Sequence, residues 1–328
     1  MSLQSESRNF ARVLMALSRP LGHRNSIDDL ESKTGLDRNI IRAAIDYFRE
    51  SQIDIEEGQN QVSLNSLPDI VLPSVILCGL KSRTLGCEIH AYKSIGSTNE
   101  VARRLADSGA LDGVLVISER QTRGRGRLGR TWHSPGGLGL YFSLVLRPRV
   151  DLVKMPALSL VAALSLCRAM EGMNTTGAQI KWPNDCLLGG KKVAGILVDL
   201  AAEFDKLSYA VLGIGINVNQ KRIDFPMRLR SKATSLLIES GQKINRPELL
   251  RDFLLDFEKS YLNFQRYGLR FLGPELARRS AVLGRKITVN LGKKRIKGEV
   301  IGFDPNGALR LRVGKDVEVI SGGEVTLR

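Results

Sequence analysis

The sequence predicts an α+β protein in three units: an N-terminal winged helix-turn-helix, a central mixed β-sheet and a C-terminal SH3-like barrel. Three observations carry this. Helical spacing with capping residues marks the chain from Phe10 to Ser51, strands outnumber helices through the middle, and the stretch from Gly284 onward alternates short strands with glycine turns. At 328 residues the chain can bury a large core and hold two or three domains. The expected boundaries are 1–66 for the first unit, 67–78 for a linker, 79–275 for the central domain and 276–328 for the last.

From Phe10 to Leu17 apolar residues recur at helical spacing. SIDDLESKTGLDRNIIRAAIDYFRES then reads as two helices around a tight turn, with Ser26 and Asp37 as caps and Gly35 between them. Ile27, Leu30, Ile41, Ile45 and Phe48 supply the inward faces. IDIEEGQNQVSL reads as two short strands around Gly58, the wing. LPDIVLP, with two prolines, is the linker. In the middle, SIGSTNEVARRLADSG is a capped helix, GVLVISERQ and GLGLYFSLVLRP are strands, and LVKMPALSLVAALSLCRAMEG is a long apolar helix. The run from Ala178 through Gln220 reads as three more strands, and residues 246–267 as a late amphipathic helix. KITVNL, RIKGEVIGF, ALRLRV and DVEVI are four strands between GKK, DPNG and GK turns.

Composition narrows the chemistry. No apolar run reaches the length of a membrane span and the N-terminus lacks an export pattern, so the expected place is the cytoplasm with no membrane partner. Cys78, Cys87, Cys167 and Cys186 form no CxxC pair and His23, His90 and His133 are scattered, which argues against a zinc site or a triad. The formal charge is +15, but residues 1–66 hold eight Arg/Lys against ten Asp/Glu, so all of the excess belongs to the later units.

The stretch SERQTRGRGRLGRTW, from Ser118 to Trp132, sets arginines among glycines. Glycine lets main-chain N–H groups approach an anion, and Arg125, Arg127 and Arg130 offer forked donors for phosphate or carboxylate. Such a loop should be mobile until a polyanion arrives. It matches neither a Walker A sequence nor a GxGxxG turn, and an arginine-rich solvated loop or a contact for a nucleic-acid backbone remains open. Downstream, KWPNDCLLGGKKVAGILVDL puts an Asn-Asp pair before a GG hairpin and Lys192 at a strand entrance; alone, this reads equally as a turn with a surface lysine.

Together, GSTN at 96–99, Gln121 with GRGRLGRTW at 124–132, KWPND at 181–185 followed by KKVAGIL, and GIGINVN at 213–219 resemble the biotin protein ligase family, bifunctional class, in order and spacing. The resemblance covers nearly the whole chain and implies a catalytic domain of the biotin/lipoate ligase type between a winged helix and an SH3-like domain. It implies that biotin and ATP, with Mg²⁺, give biotinyl-5′-AMP and pyrophosphate, and that the biotinyl group then passes to a lysine of a biotin carboxyl carrier protein domain. Ser97, Thr98, Asn99 and Gln121 would hold the ureido ring, and Gly124, Arg125, Gly126, Arg127, Lys192 and Gly195 the rest of biotin. Arg125, Arg127, Arg130, Trp132, Lys192 and Asn217 would serve ATP and the adenylate. Lys192, Arg127 and Asp185 would be catalytic, with no metal ligand from the protein. The physical need is fixed positive charge where a carboxylate meets a phosphate. Asp185 is expected to orient the acceptor amine or take its proton. Trp132 and Gly195 also read as ordinary packing residues. Leu128 stands where many relatives have a basic residue, and Arg123 adds one before the loop.

The resemblance also implies a homodimer formed with ligand, and an operator DNA partner. Arg38, Asn39 and Arg42 are the base-edge candidates on the second helix of the first unit. Asp46, Glu56 and Glu57 oppose phosphate and count against it. Two rivals share much of this pattern: a lipoate or octanoate ligase of the same fold, and a biotin-sensing DNA-binding regulator without catalysis.

Overall fold

Local capping fixes the first elements. The computed structural model describes residues 3–203 and 206–327. Helix α1 (Leu3–Leu17) is followed by β1 (Asn25–Ser26), α2 (Ile27–Thr34), α3 (Arg38–Glu50), β2 (Ile55–Glu57) and β3 (Gln61–Leu64). The Ser26 hydroxyl accepts from the Asp29 N–H and the Asp29 carboxylate accepts from the Ser26 N–H, a reciprocal cap that starts α2. Gly35 at φ 63° ends α2, and the Asp37 carboxylate accepts from the Asn39 N–H to start α3. β3 pairs with β1 on one side and β2 on the other. Val13, Leu17, Leu30, Ile41 and Phe48 close a core of their own.

Residues 67–78 are anchored at several points and contain a short helix, α4 (Pro73–Leu77). The Asn245 amide donates to the Pro68 carbonyl at 3.2 Å, Arg246 Nε to Asp69 at 2.9 Å, and the Val71 N–H to Glu119 at 3.0 Å. Arg246 is only 3% exposed and also donates to Glu119 at 2.6 Å. Burial works against its charge, and the two carboxylates more than offset that, leaving its pKa above the ordinary arginine value.

The middle of the chain runs β4 (Ile89–Tyr92), α5 (Thr98–Asp107), β5 (Leu115–Ser118), β6 (Gly139–Leu146), α6 (Leu158–Glu171), β7 (Gln179–Lys181), β8 (Asp185–Leu188), β9 (Lys191–Glu203), β10 (Lys206–Asn217), α7 (Leu236–Ser240), α8 (Arg246–Tyr267) and α9 (Gly273–Arg279). The sheet order is β4-β5-β6-β10-β9-β8-β7; β4 and β5 are parallel and the other pairs antiparallel, so the sheet is mixed as expected. Period-two alternation sorts its faces. Leu115, Ile117, Phe142, Leu144, Ile196, Leu212 and Ile214 pack beneath with α6 and α8. The opposite face carries α5 over Val116, Val145 and Val211. Ser143, Gly213 and Gly215 share that second face by register, and there the strands are cleared rather than filled.

Three expectations change here. The run from Ala178 holds four strands, because Pro183 offers no N–H to a ladder and splits β7 from β8 at the Trp-Pro corner. The long apolar helix starts as a 3₁₀ turn, Leu152–Ala157, containing Pro156, before α6 proper. The combined stretch Leu152–Glu171 is long and apolar enough to cross a membrane, against the expectation; 72% of its apolar window is buried inside the protein, where it is the central core helix.

Five antiparallel strands end the chain: β11 (Lys286–Leu291), β12 (Lys294–Phe303), β13 (Leu309–Val313), β14 (Asp316–Ile320) and β15 (Glu324–Leu327), in the order β14-β13-β12-β11-β15. The sequence pattern shows four; β15 escapes because EVTL is short and follows a glycine pair. Val289, Val300 and Leu309 join the main core, so this sheet is packed against the central domain.

Glu258 of α8 shows how distant segments are stapled. Its buried carboxylate accepts from the N–H groups of Arg83, Thr84 and Leu85 at 2.7–3.1 Å. Glu258→Ala should leave those donors unmatched and destabilise the protein by about 3 kcal/mol, read as a lower urea midpoint with an unchanged slope.

Candidate active site

The cleared strand face makes the site. Gly213 and Gly215 alternate with Ile214 and Ile216, which point into the core, so the glycines open the other side of β10. A Cβ at Gly213 would overlap the Asn99 amide, and one at Gly215 would overlap the Trp132 indole nitrogen. A Cβ at Gly195, opposite Gly215, would lie 3.0 Å from the Trp132 ring and 3.1 Å from Lys192 Nζ. At Gly213 and Gly215 another side chain occupies the space a Cβ would need, and at Gly195 the fit is tight.

An inner pocket of about 40 Å³ is lined by Ser97, Thr98, Asn99, Gln121, Arg125, Gly126, Arg127, Trp132, Lys192 and Gly195, among others. It opens beside an outer cavity of about 300 Å³ that Gly126, Arg127, Arg130, Trp132, Asp185, Lys192 and Asn217 help to line. Arg127, Trp132, Asn184 and Lys192 border both. Nearly every candidate from the sequence is brought together here. Gly124 sits behind the wall, its carbonyl accepting from the Trp132 N–H at 2.9 Å, and Arg125 lines the inner pocket but not the outer one.

The glycine-arginine loop holds a closed turn. Gly126 N–H donates to the Arg130 carbonyl at 2.7 Å and Arg130 N–H to Arg127 at 3.2 Å. Leu128, at φ 55°, takes the left-handed conformation and projects outward, 75% exposed. Arg127 donates to Asn184 at 3.1 Å, and burial pulls its pKa below the ordinary value, with Asp185 and Glu324 opposing. A half-buried cation whose fixed partner is a neutral amide is suited to receive an anion. Lys192 Nζ lies 2.7 Å from Asp185, an ion pair off the axis of a hydrogen bond, and 5.2 Å from the Trp132 ring centre. The Trp132 indole N–H is buried without an acceptor.

Several contributors were not foreseen. Residues 222–234 pack against β9, where Lys192 N–H donates to the Lys232 carbonyl and Thr234 N–H to the Lys192 carbonyl. Phe225 and Leu229 from this segment line the outer cavity with His133, and Lys181 and Lys232 add charge. Gly323, Glu324 and Val325 of the C-terminal sheet complete its wall, and Glu324 pairs with Arg130 at 2.6 Å. Lys181 and Asn184, inside KWPND, and Gly213 and Gly215, inside GIGINVN, stood in motifs that could have flagged them.

In the first unit the base-edge candidates are unequal. Arg38 is paired with Asp28 and, at 3.2 Å, Glu31, whereas Asn39 and Arg42 are exposed. The acidic β2–β3 hairpin has both glutamates in exposed ion pairs, Glu56 with Arg24 at 2.9 Å and Glu57 with Arg49.

Comparisons agree with this geometry. Residues 91–217 match the biotin/lipoate A/B protein ligase family, and residues 282–328 match the biotin protein ligase C-terminal domain. The chain is 36% identical over 298 residues to the bifunctional ligase/repressor BirA of Bacillus spizizenii, covering 89% of this chain and 90% of that one. It is 32% identical over 252 residues to a biotin–acetyl-CoA-carboxylase ligase of Mycobacterium tuberculosis, covering 73% of this chain and 88% of that one. Among solved structures, the biotin protein ligase of Aquifex aeolicus in complex with biotin and ATP aligns with a TM-score of 0.64 and 32% identity, over 74% of this chain and 98% of that one. With this identity sustained over most of its length, and with a small polar pocket opening onto a larger cationic cavity, the chain belongs to the biotin protein ligase family.

Proposed function

We propose that the inner pocket takes the biotin head, the outer cavity takes ATP, and the chain joins them before transferring biotin to a protein lysine. One observation carries this: Arg127 and Lys192 stand on the wall shared by both chambers. There a biotin carboxylate oxygen attacks the α-phosphorus, a C(O)–O–P bond forms, the α–β bridge breaks, and pyrophosphate leaves with the electron pair. Two anions must meet, so the barrier falls through fixed positive charge in a partly desolvated site. Lys192 leaves Asp185 for the phosphate, and Asp185 is then placed to accept the proton of the attacking lysine in the second step.

The donor set fits a Mg²⁺ carried by the nucleotide. Among the described residues no three Asp, Glu, His or Cys side chains gather as a metal site, and the two carboxylates lining the outer cavity, Asp185 and Glu324, are both in ion pairs. A cation held mainly by phosphate oxygens and water suits this arrangement, where it would offset phosphate charge.

The acceptor is a biotin carboxyl carrier protein domain, and the positive balance beyond residue 66 favours encounter with an acidic one. Four free cysteines fit the reducing cytoplasm. Biotin-dependent exchange of labelled pyrophosphate into ATP tests the ligase reading, with lipoate and octanoate in parallel. Exchange with biotin alone supports it; exchange with lipoate instead moves the chain to the neighbouring activity.

A second reading, transcriptional repression with the adenylate as corepressor, rests on the paired glutamates of the β2–β3 hairpin. With Glu56 and Glu57 paired, the winged helix can present Asn39 and Arg42 to a major groove. Pairing of two chains has a candidate surface in β9, which beyond Gly195 has β10 on one side and, among the described residues, no strand on the other. Selection from a randomised duplex pool, with and without biotin plus ATP, tests this reading; no enrichment in either condition would sink it.

A further inference from the structure

Five side chains beneath the inner pocket form a hydrogen-bonded chain whose far end is Asp199, a residue of β9 two positions past the KKVAGIL stretch, to which the sequence assigns no role. Asn99 Nδ2 donates to Asp199 Oδ2 at 3.0 Å. Ser143 Oγ lies 2.7 Å from Asn99 Oδ1 and 2.8 Å from Thr98 Oγ1. Thr98 Oγ1 lies 3.1 Å from Gln121 Oε1, which also accepts from the Thr98 N–H at 2.8 Å. Ser143 is fully buried, and Thr98 and Asn99 nearly so.

A hydroxyl has one proton, so this chain has a direction, and its ends decide which. An ionised carboxylate only accepts. Asp199 therefore holds the Asn99 amide with its nitrogen outward and its oxygen toward Ser143. Ser143 then commits its proton to Asn99 and cannot donate to Thr98. Thr98 in turn spends its own proton on Ser143 Oγ or Gln121 Oε1, and in either case turns lone pairs to the pocket. The other end has the same sense: Ser134 Oγ donates to the Trp132 carbonyl at 3.2 Å and accepts from Gln121 Nε2 at 3.1 Å, which fixes Gln121 with its oxygen toward Thr98. Gly213 supports the arrangement, because only a missing Cβ lets the Asn99 amide lie on the strand.

We infer that Asp199 is a positioning residue that sets the hydrogen-bond polarity of the inner pocket, so that Thr98 faces the ligand as an acceptor and selects a head group presenting N–H. This rests on the reading of the inner pocket as the biotin-head site. A ureido ring offers such a donor; a dithiolane or an alkyl chain does not. Without the carboxylate the Asn99 amide can turn over and give its N–H to Ser143, whose proton then moves to Thr98 and occupies one of the two lone pairs that otherwise face the pocket.

The test is a double-mutant cycle on the full chain with Asp199→Asn and Thr98→Val, reading the half-saturating biotin concentration in pyrophosphate exchange and that of ATP in the same assay. Asp199→Asn should raise the value for biotin about tenfold while leaving that for ATP within about twofold. In the Thr98→Val background the same change should cost less than about threefold, since the residue it acts through is gone. An unchanged biotin value, an equal factor in both backgrounds, or a matching rise for ATP would overturn the polarity assignment. If Thr98→Val alone leaves biotin recognition intact, the reading of the pocket fails instead.

Discussion

Lys192→Ala should abolish biotin-dependent pyrophosphate exchange, with a fall of at least about 10²–10³ in kcat, or roughly 3–4 kcal/mol of lost transition-state stabilisation. Its ammonium borders both chambers, as Arg127 does, and is held by an ion pair with Asp185 and by the face of Trp132. Charge that neutralises two approaching anions is used mainly at the transition state, so the loss falls on kcat more than on biotin binding. Asp185→Asn separates the two steps. It should retain exchange, yet transfer biotin from preformed adenylate to the carrier at a small fraction of the normal rate. Equal loss of both steps in Asp185→Asn would reduce that residue to an anchor for Lys192.

Gly215→Ala should damage both substrates at once. The added methyl overlaps the Trp132 indole, which must lift off the strand. Trp132 borders both chambers and its main-chain N–H donates to the Gly124 carbonyl at the base of the arginine loop, so the displacement reaches Arg125 and Arg127. The half-saturating concentrations of biotin and ATP should each rise about tenfold or more, as expected when positioning is lost by about an ångström. The chain has two tryptophans, and the other, Trp182, is buried with its N–H on the Gly307 carbonyl. Emission in a Trp182→Phe background therefore reports Trp132, and should shift to the red on Gly215→Ala. Wild-type emission and wild-type kinetics together would show that the strand absorbs the methyl and that the glycine is not needed for space.

What could be read from the sequence follows the range of each interaction. Ser26, Gly35 and Asp37 cap helices through bonds to residues at most four positions away, and all were legible. The GG turn was legible too, since Gly189 and Gly190 both need positive φ. Motif residues around the two chambers were legible by resemblance. Ser143 and Asp199 were not, because each meets Asn99 only where α5 lies over the sheet, across 44 and 100 residues. Glu324 is 194 residues from Arg130, and no local pattern ties a C-terminal strand to the arginine loop. The loop itself was read as mobile on charge and glycine content; its main-chain bonds across Gly126 and Arg130 depend on a turn geometry that composition does not encode.

The anchored segment between the first two units has a consequence for length. A flexible tether of residues 67–78 would let its ends wander over roughly 19 Å. With Pro68, Asp69 and Val71 each tied to the catalytic unit, the segment acts as a strut. In any pair of chains joined through their catalytic units, the gap between the two copies of α3, the helix proposed above to read DNA, is then a ruler cut by the enzyme half of the molecule. DNA half-sites repeat at about one helical turn, near 34 Å, and a rigid ruler rejects a half-turn insertion that a tether would forgive.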